Sequence, residues 1–150
     1  MTASDLLCKQ VSVFLENKSG RLAEVCQTLG RADINIRALS IADTSDFGIL
    51  RLIVDRPDEA VEVLQSEGFS VGSTGVLALR IPDRPGGLGM VLGQLQEENI
   101  NVEYMYAFFI TIAGDAVVLF KVDDEVVDIT LKLLERNGVQ VLPAEEVYRL

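Results

Sequence analysis

One segment of this chain is written twice, and that repetition limits the folds open to it more than any other feature. Near the start, an alternating run through Val11, Val13 and Leu15 passes through Glu16-Asn17-Lys18-Ser19-Gly20 into a helical pattern from Leu22. Further on, Val76, Ala78 and Arg80 alternate with Leu77, Leu79 and Ile81, and the run passes through Pro82-Asp83-Arg84-Pro85-Gly86 into Leu88. Shifted by 66 positions, Lys18 falls on Arg84, Gly20 on Gly86, Leu22 on Leu88, Leu29 on Leu95, Ile34 on Ile100, Asn35 on Asn101 and Gly48 on Gly114. The 150 residues therefore divide into two modules, 1–73 and 76–150, joined by the short linker Gly72-Ser73-Thr74-Gly75. A half of about 70 residues buries a limited core alone, so the halves are expected to pack together.

Within the first module the pattern changes period in a fixed order. A strand through Val11 and Leu15 gives way to a helix whose apolar stripe is Leu22, Val25, Cys26, Leu29 and Ala32. Asp33 ends it, and a strand runs from Ile34 to Ile41. Asp43-Thr44-Ser45-Asp46 reads as a turn, and a further strand follows from Gly48 to Val54. Pro57 opens a second helix, Gly68 closes it, and a short strand runs from Phe69 to Ser73. The second module repeats this order, with a last helix that reads one turn longer, at about 124–136. Strand-helix-strand twice over predicts an α+β, ferredoxin-like βαββαβ unit: an antiparallel sheet with both helices on one face. Residues 1–8 read as a tail, and Val147-Tyr148-Arg149-Leu150 fits either an edge strand or a short helix from Pro143.

The strands of the second module are largely apolar on both faces. Tyr104, Tyr106, Phe108, Ile110 and Ile112 alternate with Met105, Ala107, Phe109 and Thr111, and Ala116, Val118, Phe120 and Val122 alternate with Val117, Leu119 and Lys121. A sheet wet on one side has no need of this, so a second copy of the chain is expected to cover it, making a homodimer.

Composition removes several function classes. With no histidine, the Ser-His and Cys-His nucleophile systems, the imidazole base and most zinc sites are excluded. A net charge of −10 argues against nucleic acid or an anionic membrane as the main partner. Cys8 and Cys26 show no paired spacing, no early segment reads as a signal peptide, and no apolar run spans a bilayer. A reduced, cytoplasmic chain without cofactor or metal is the expectation. Pro85-Gly86-Gly87-Leu88-Gly89 lacks the lysine of a phosphate loop, and Asp123-Asp124-Glu125 suits a helix start better than a cation.

The glycine turns have a chemistry of their own. Gly20 and Gly86 admit backbone angles that a Cβ hinders, and the amides after them open a helix, where an anionic group is favoured. Asn35 and Asn101, at the start of the next strand, offer a donor and an acceptor, and are expected beside the turn. Residue types alone fit two readings: an amino-acid site, or tight turns and helix exits with no ligand.

The two segments Glu16-Asn17-Lys18-Ser19-Gly20-Arg21-Leu22 and Asp83-Arg84-Pro85-Gly86-Gly87-Leu88, with Asp33-Ile34-Asn35-Ile36 and Asn99-Ile100-Asn101-Val102, resemble the signature of ACT domains, small ligand-sensing modules of amino-acid metabolism. The resemblance covers nearly the whole chain. It implies a ferredoxin-like fold, modules joined side by side, and an amino acid bound at module interfaces. The residues it implies for the site are Lys18, Ser19, Gly20, Arg21, Leu22, Asn35 and Ile36, with Arg84, Pro85, Gly86, Gly87, Leu88, Asn101 and Val102 in the second module. Two departures stand out: Ser19 occupies the place of the usual proline, and no enzyme domain accompanies the modules. The resemblance thus implies a non-catalytic amino-acid sensor whose output passes to another protein. The alternative is a subunit that docks on a biosynthetic enzyme and has vestigial ligand sites.

Overall fold

A computed structural model describes residues 2–43 and 46–150, apart from the side chain of Ile110. The turn expected at Asp43–Asp46 falls partly on residues 44 and 45, outside the described residues. Two compact units emerge. One is Lys9–Thr74 with Tyr148–Leu150; the other is Gly75–Val147 with the start of the chain through Cys8. The division expected at 73 and 76 is thus redrawn at both ends. Leu7 explains the first change, since a Cβ on Gly75 would lie 3.3 Å from its Cδ2. Tyr148 explains the second: its hydroxyl accepts from the Lys9 amide at 2.8 Å, and its carbonyl accepts from Arg37 Nε at 3.3 Å.

In the first unit, β1 (Leu7–Glu16) leads through the Gly20 turn into α2 (Arg21–Arg31), then β2 (Ile36–Asp43), β3 (Phe47–Val54), α3 (Pro57–Ser66) and the first part of β4 (Ser70–Pro82). A short helix, α1 (Ala3–Leu6), precedes β1, where a tail was expected. The strands lie in the order β2-β3-β1-β4, and β3 is antiparallel to both neighbours. Val11, Val13 and Leu15 face the helices with Leu50, Leu52, Val25, Leu29 and Leu64 in a single core. The other face of β1 inverts the simple pattern. Gln10 and Ser12 are buried there, with Gln10 Nε2 donating to Ser12 Oγ at 3.2 Å, while Phe14 is exposed.

The second unit repeats the arrangement with the rest of β4, α4 (Gly87–Glu97), β5 (Val102–Ile112), β6 (Asp115–Val122), α5 (Val127–Arg136) and β7 (Gln140–Val141). Leu77, Leu79 and Ile81 take the places of Val11, Val13 and Leu15 in its core, with Val91, Leu95, Phe120 and Leu134. Linker and strand are not separate: β4 is one strand from Ser70 to Pro82, because nothing in Gly72-Ser73-Thr74-Gly75 forbids extended backbone. The extra length before α5 is a 3₁₀ turn (Asp124–Val126), capped by Asp123 Oδ1 accepting from the Glu125 amide at 2.9 Å. The chain then ends in α6 (Ala144–Tyr148), the helical alternative.

The four long helices share one ending. Asp33, Gly68, Asn99 and Gly138 all have positive φ, and the next amide reaches back five residues, as Ile34 to Leu29 at 3.0 Å and Ile100 to Leu95 at 2.9 Å. This left-handed cap satisfies carbonyls that the helix leaves open.

Two expectations about the second unit change. Val117 and Leu119, on the face of β6 away from the helices, are 1% and 0% exposed within the chain itself, so β6 needs no second copy to cover it. Ala144 and Val147 of α6, in the same unit, are buried as well. The repeat is also not of constant offset. Leu15 pairs with Gly48, whereas Ile81 pairs with Ala116, so Gly48 corresponds to Ala116 and its match with Gly114 is a coincidence. The irregularity in β5 between Ala107 and Thr111 absorbs the extra residues. No helix among the described residues is long and apolar enough to cross a membrane.

Candidate functional site

The two glycine turns have the same backbone. Gly20 has φ 88° and ψ −15°, and Gly86 has φ 84° and ψ −7°, the left-handed region that only glycine enters without strain. Lys18 N donates to Glu16 O at 2.9 Å, as Arg84 N does to Pro82 O at 2.9 Å. Glu24 N reaches Gly20 O at 3.0 Å, as Met90 N reaches Gly86 O at 2.9 Å. Neither helix start has a side-chain cap. The amides of Leu22 and Ala23, and of Leu88 and Gly89, therefore lie in the part of the turn that a helix cannot satisfy from within.

The turns differ one position later. A Cβ on Gly87 would sit 2.2 Å from the Pro82 carbonyl oxygen, so only glycine fits there. Arg21 holds that place in the first turn, which is looser: Arg21 N lies 3.4 Å from Lys18 O, against 3.0 Å for Gly87 N and Arg84 O. The Arg21 guanidinium pairs with Glu24 at 2.8 Å and lies over the Phe69 ring, 4.9 Å from its centre.

Beside the first turn lies a cavity of about 160 Å³, lined by Leu15, Glu16, Asn17, Lys18, Arg21, Leu22, Ile41, Asp43, Gly48 and Leu50. Its walls carry both signs of charge, and its floor is apolar. Lys18 is paired with Glu16 at 3.1 Å, an exposed contact that adds little stability. Seven of its lining residues, Leu15, Glu16, Asn17, Ile41, Asp43, Gly48 and Leu50, lie outside the expected site; Lys18, Arg21 and Leu22 of that site line it, and Ser19 and Gly20 do not. The signal for the strand residues among the seven is the hairpin register, since Leu15 and Asp43 both pair with Gly48.

Asn35 and Ile36 do not join this cavity. They stand where β2 begins, with Ile36 paired to Val54, at the far end of the sheet from the Glu16–Phe47 and Asp43–Gly48 pairs. An eight-residue strand puts them roughly 25 Å from the turn. The expectation that they lie beside it is corrected by topology: α2 carries the chain back to the starting end of β1, so β2 runs parallel to β1 and begins where β1 begins. The Asn35 amide donates to Asp55 Oδ1 at 3.0 Å, which pins this corner. Asn101 and Val102 are placed likewise, with Val102 opposite Val122 while Pro82 is opposite Asp115. They line a separate groove of about 400 Å³ with Leu92, Leu95, Gln96, Asn99 and Ile100.

With this geometry in hand, comparison with known proteins decides the family. The model of the ACT domain pair matches residues 6–146. This chain belongs to the ACT domain pair family. Among solved structures, protein BT0572 from Bacteroides thetaiotaomicron is 41% identical, with a TM-score of 0.89 over 97% of this chain and 98% of that one. The ligand-free regulatory subunit of aspartate kinase from Thermus thermophilus is 15% identical, with a TM-score of 0.63 over 88% of this chain and 93% of that one. The corresponding subunit from Thermus flavus is 14% identical, with a TM-score of 0.61 over 89% and 94%. The last two share the fold of this ACT domain pair. No curated protein matches the chain.

Proposed function

We propose that this ACT domain pair is a cytoplasmic, non-catalytic regulatory protein that binds a small amino acid at its glycine turns and works as a homodimer. The observation that carries the reading is the cavity at the first turn, lined by Lys18, Glu16, Asp43 and apolar side chains beside a helix start without a side-chain cap. Amides and a cation suit a carboxylate, acidic side chains suit an ammonium, and the floor suits a side chain. The second turn supplies the same amides after Gly86, with Arg84, Pro85 and Leu88 around them. Asn35, Ile36, Asn101 and Val102 take part only where a second copy presents them, and the homodimer gives them that route.

A thermal-shift screen of the twenty amino acids tests the reading, since a ligand that binds only the folded chain raises its midpoint. A rise with one or a few is expected; no rise with any would sink it. The alternative, a subunit that docks on an amino-acid biosynthetic enzyme, is favoured by one feature. Phe109 on β5 is 69% exposed, a large apolar side chain that a partner could cover.

A further inference from the structure

We propose that Asp43, seated over Gly48, recognises the ammonium of the bound amino acid, and that only the first module has such a group. The inference rests on the amino-acid reading above and adds to it which turn binds and through which atom. Register identifies the equivalent positions. Asp43 pairs with Gly48, and Thr111 pairs with Ala116; Leu15 and Ile81 hold the same place on the neighbouring strands.

Gly48 is what lets the carboxylate lie where it does. A Cβ there would stand 2.9 Å from Asp43 Oδ1, closer than such atoms approach, so any larger residue displaces the Asp43 side chain. The direction matters as much as the space. Gly48 shares its sheet face with Leu15 and Leu50, the helix-side face on which the cavity opens, so Asp43 leans into it. At the second turn the methyl of Ala116 occupies that space, and Thr111 brings no charge.

The other charges in the cavity already have partners. Glu16 is paired with Lys18 at 3.1 Å and Arg21 with Glu24 at 2.8 Å. Among the described residues Asp43 makes no ion pair. It is the uncommitted carboxylate of the site, and in the second module Pro82 and Gly87 replace Glu16 and Arg21 as well.

A ligand matching this layout has a carboxylate for the amides after Gly20 and an ammonium for Asp43. Its side chain rests on Leu15, Ile41 and Leu50. The cavity, of about 160 Å³, lies below the usual range of ligand pockets, about 300–1,000 Å³, which suits a small amino acid.

Titration calorimetry with L-alanine, L-serine, L-threonine and L-valine, each beside its N-acetyl derivative, tests this. Unmodified chain, Asp43→Asn, Gly48→Ala and Thr111→Val are compared, with circular dichroism as the folding control. Expected are one molecule bound per chain, no binding of the N-acetyl forms, and affinity reduced roughly ten- to a hundredfold in Asp43→Asn and Gly48→Ala. Thr111→Val should bind as the unmodified chain does. Should Gly48→Ala fail to fold, Asp43→Asn decides alone. Binding by the unmodified chain that Asp43→Asn leaves intact, or that the N-acetyl forms share, overturns this inference and leaves the amino-acid reading standing. Failure of the unmodified chain to bind any of the four overturns the inference; silence across all twenty overturns the amino-acid reading with it.

Discussion

Single positions show how one backbone plan tolerates different residues. Gly87 and Arg21 occupy the same step of the repeat, yet a Cβ at 87 would strike a carbonyl oxygen fixed in β4. Gly87→Ala is therefore expected to cost roughly 1–3 kcal/mol, as overpacking does. Arg21→Ala should cost less than Gly87→Ala, since its turn is already open; urea unfolding of the two variants checks the order. The cysteines give a second test. Burial pushes the Cys8 thiol up to about 12, and raises Cys26 by the same cause while leaving it partly accessible. Iodoacetamide at pH 8 should label Cys26 in the folded chain and spare Cys8 until the chain unfolds. The sign for stability follows: the unfolded thiol ionises first, so the contribution of Cys8 is full below about pH 8.5 and is lost as pH rises toward 12. At this scale the sequence was readable where chemistry is local, as with Gly20 and Gly86. It was silent on Gly48, whose reason is a side chain on the adjacent strand.

Among the elements, the turns invite a direct comparison. Ser19 and Pro85 stand between the same pair of hydrogen bonds on backbones with nearly equal angles at the following glycine. Proline should fit at 19 without strain and lower the entropy of the unfolded chain. We expect Ser19→Pro to stabilise the chain by about 0.4–1 kcal/mol, read as a higher denaturation midpoint with an unchanged slope. A marked loss would mean that the turns differ at that residue. Helices, their left-handed ends and most strands were legible, because period and capping residues report on neighbours three to five positions away. The course of β2 was legible too, and was misjudged: a crossover helix returns the chain to the end it left, and applying that rule places Asn35 far from Gly20. The two-residue irregularity in β5 left no such trace, because Ala107 to Thr111 read as ordinary strand.

For the whole molecule, the repeat predicted two similar folds, and two similar cores formed around equivalent side chains. Assembly was harder to read. Apolar residues on both faces of β6 pointed to a second chain, but one chain buries Val117 and Leu119 by itself. Among the described residues the exposed phenylalanines are Phe109 on β5 and, in the other unit, Phe14 and Phe47. Light scattering at micromolar concentration should give the mass of two chains, and Phe109→Glu should shift it toward one. A monomer mass for the unmodified chain would refute the dimer; a dimer unmoved by Phe109→Glu would place the contact away from β5. The exchange of chain ends between the units has a further consequence, in time. The unit that begins at Lys9 is finished only by Tyr148–Leu150, so everything from Gly75 onward must be translated before its last contacts can form. At about 5–20 residues per second this is a wait of several seconds, during which the first-made half of the protein stands incomplete on the ribosome.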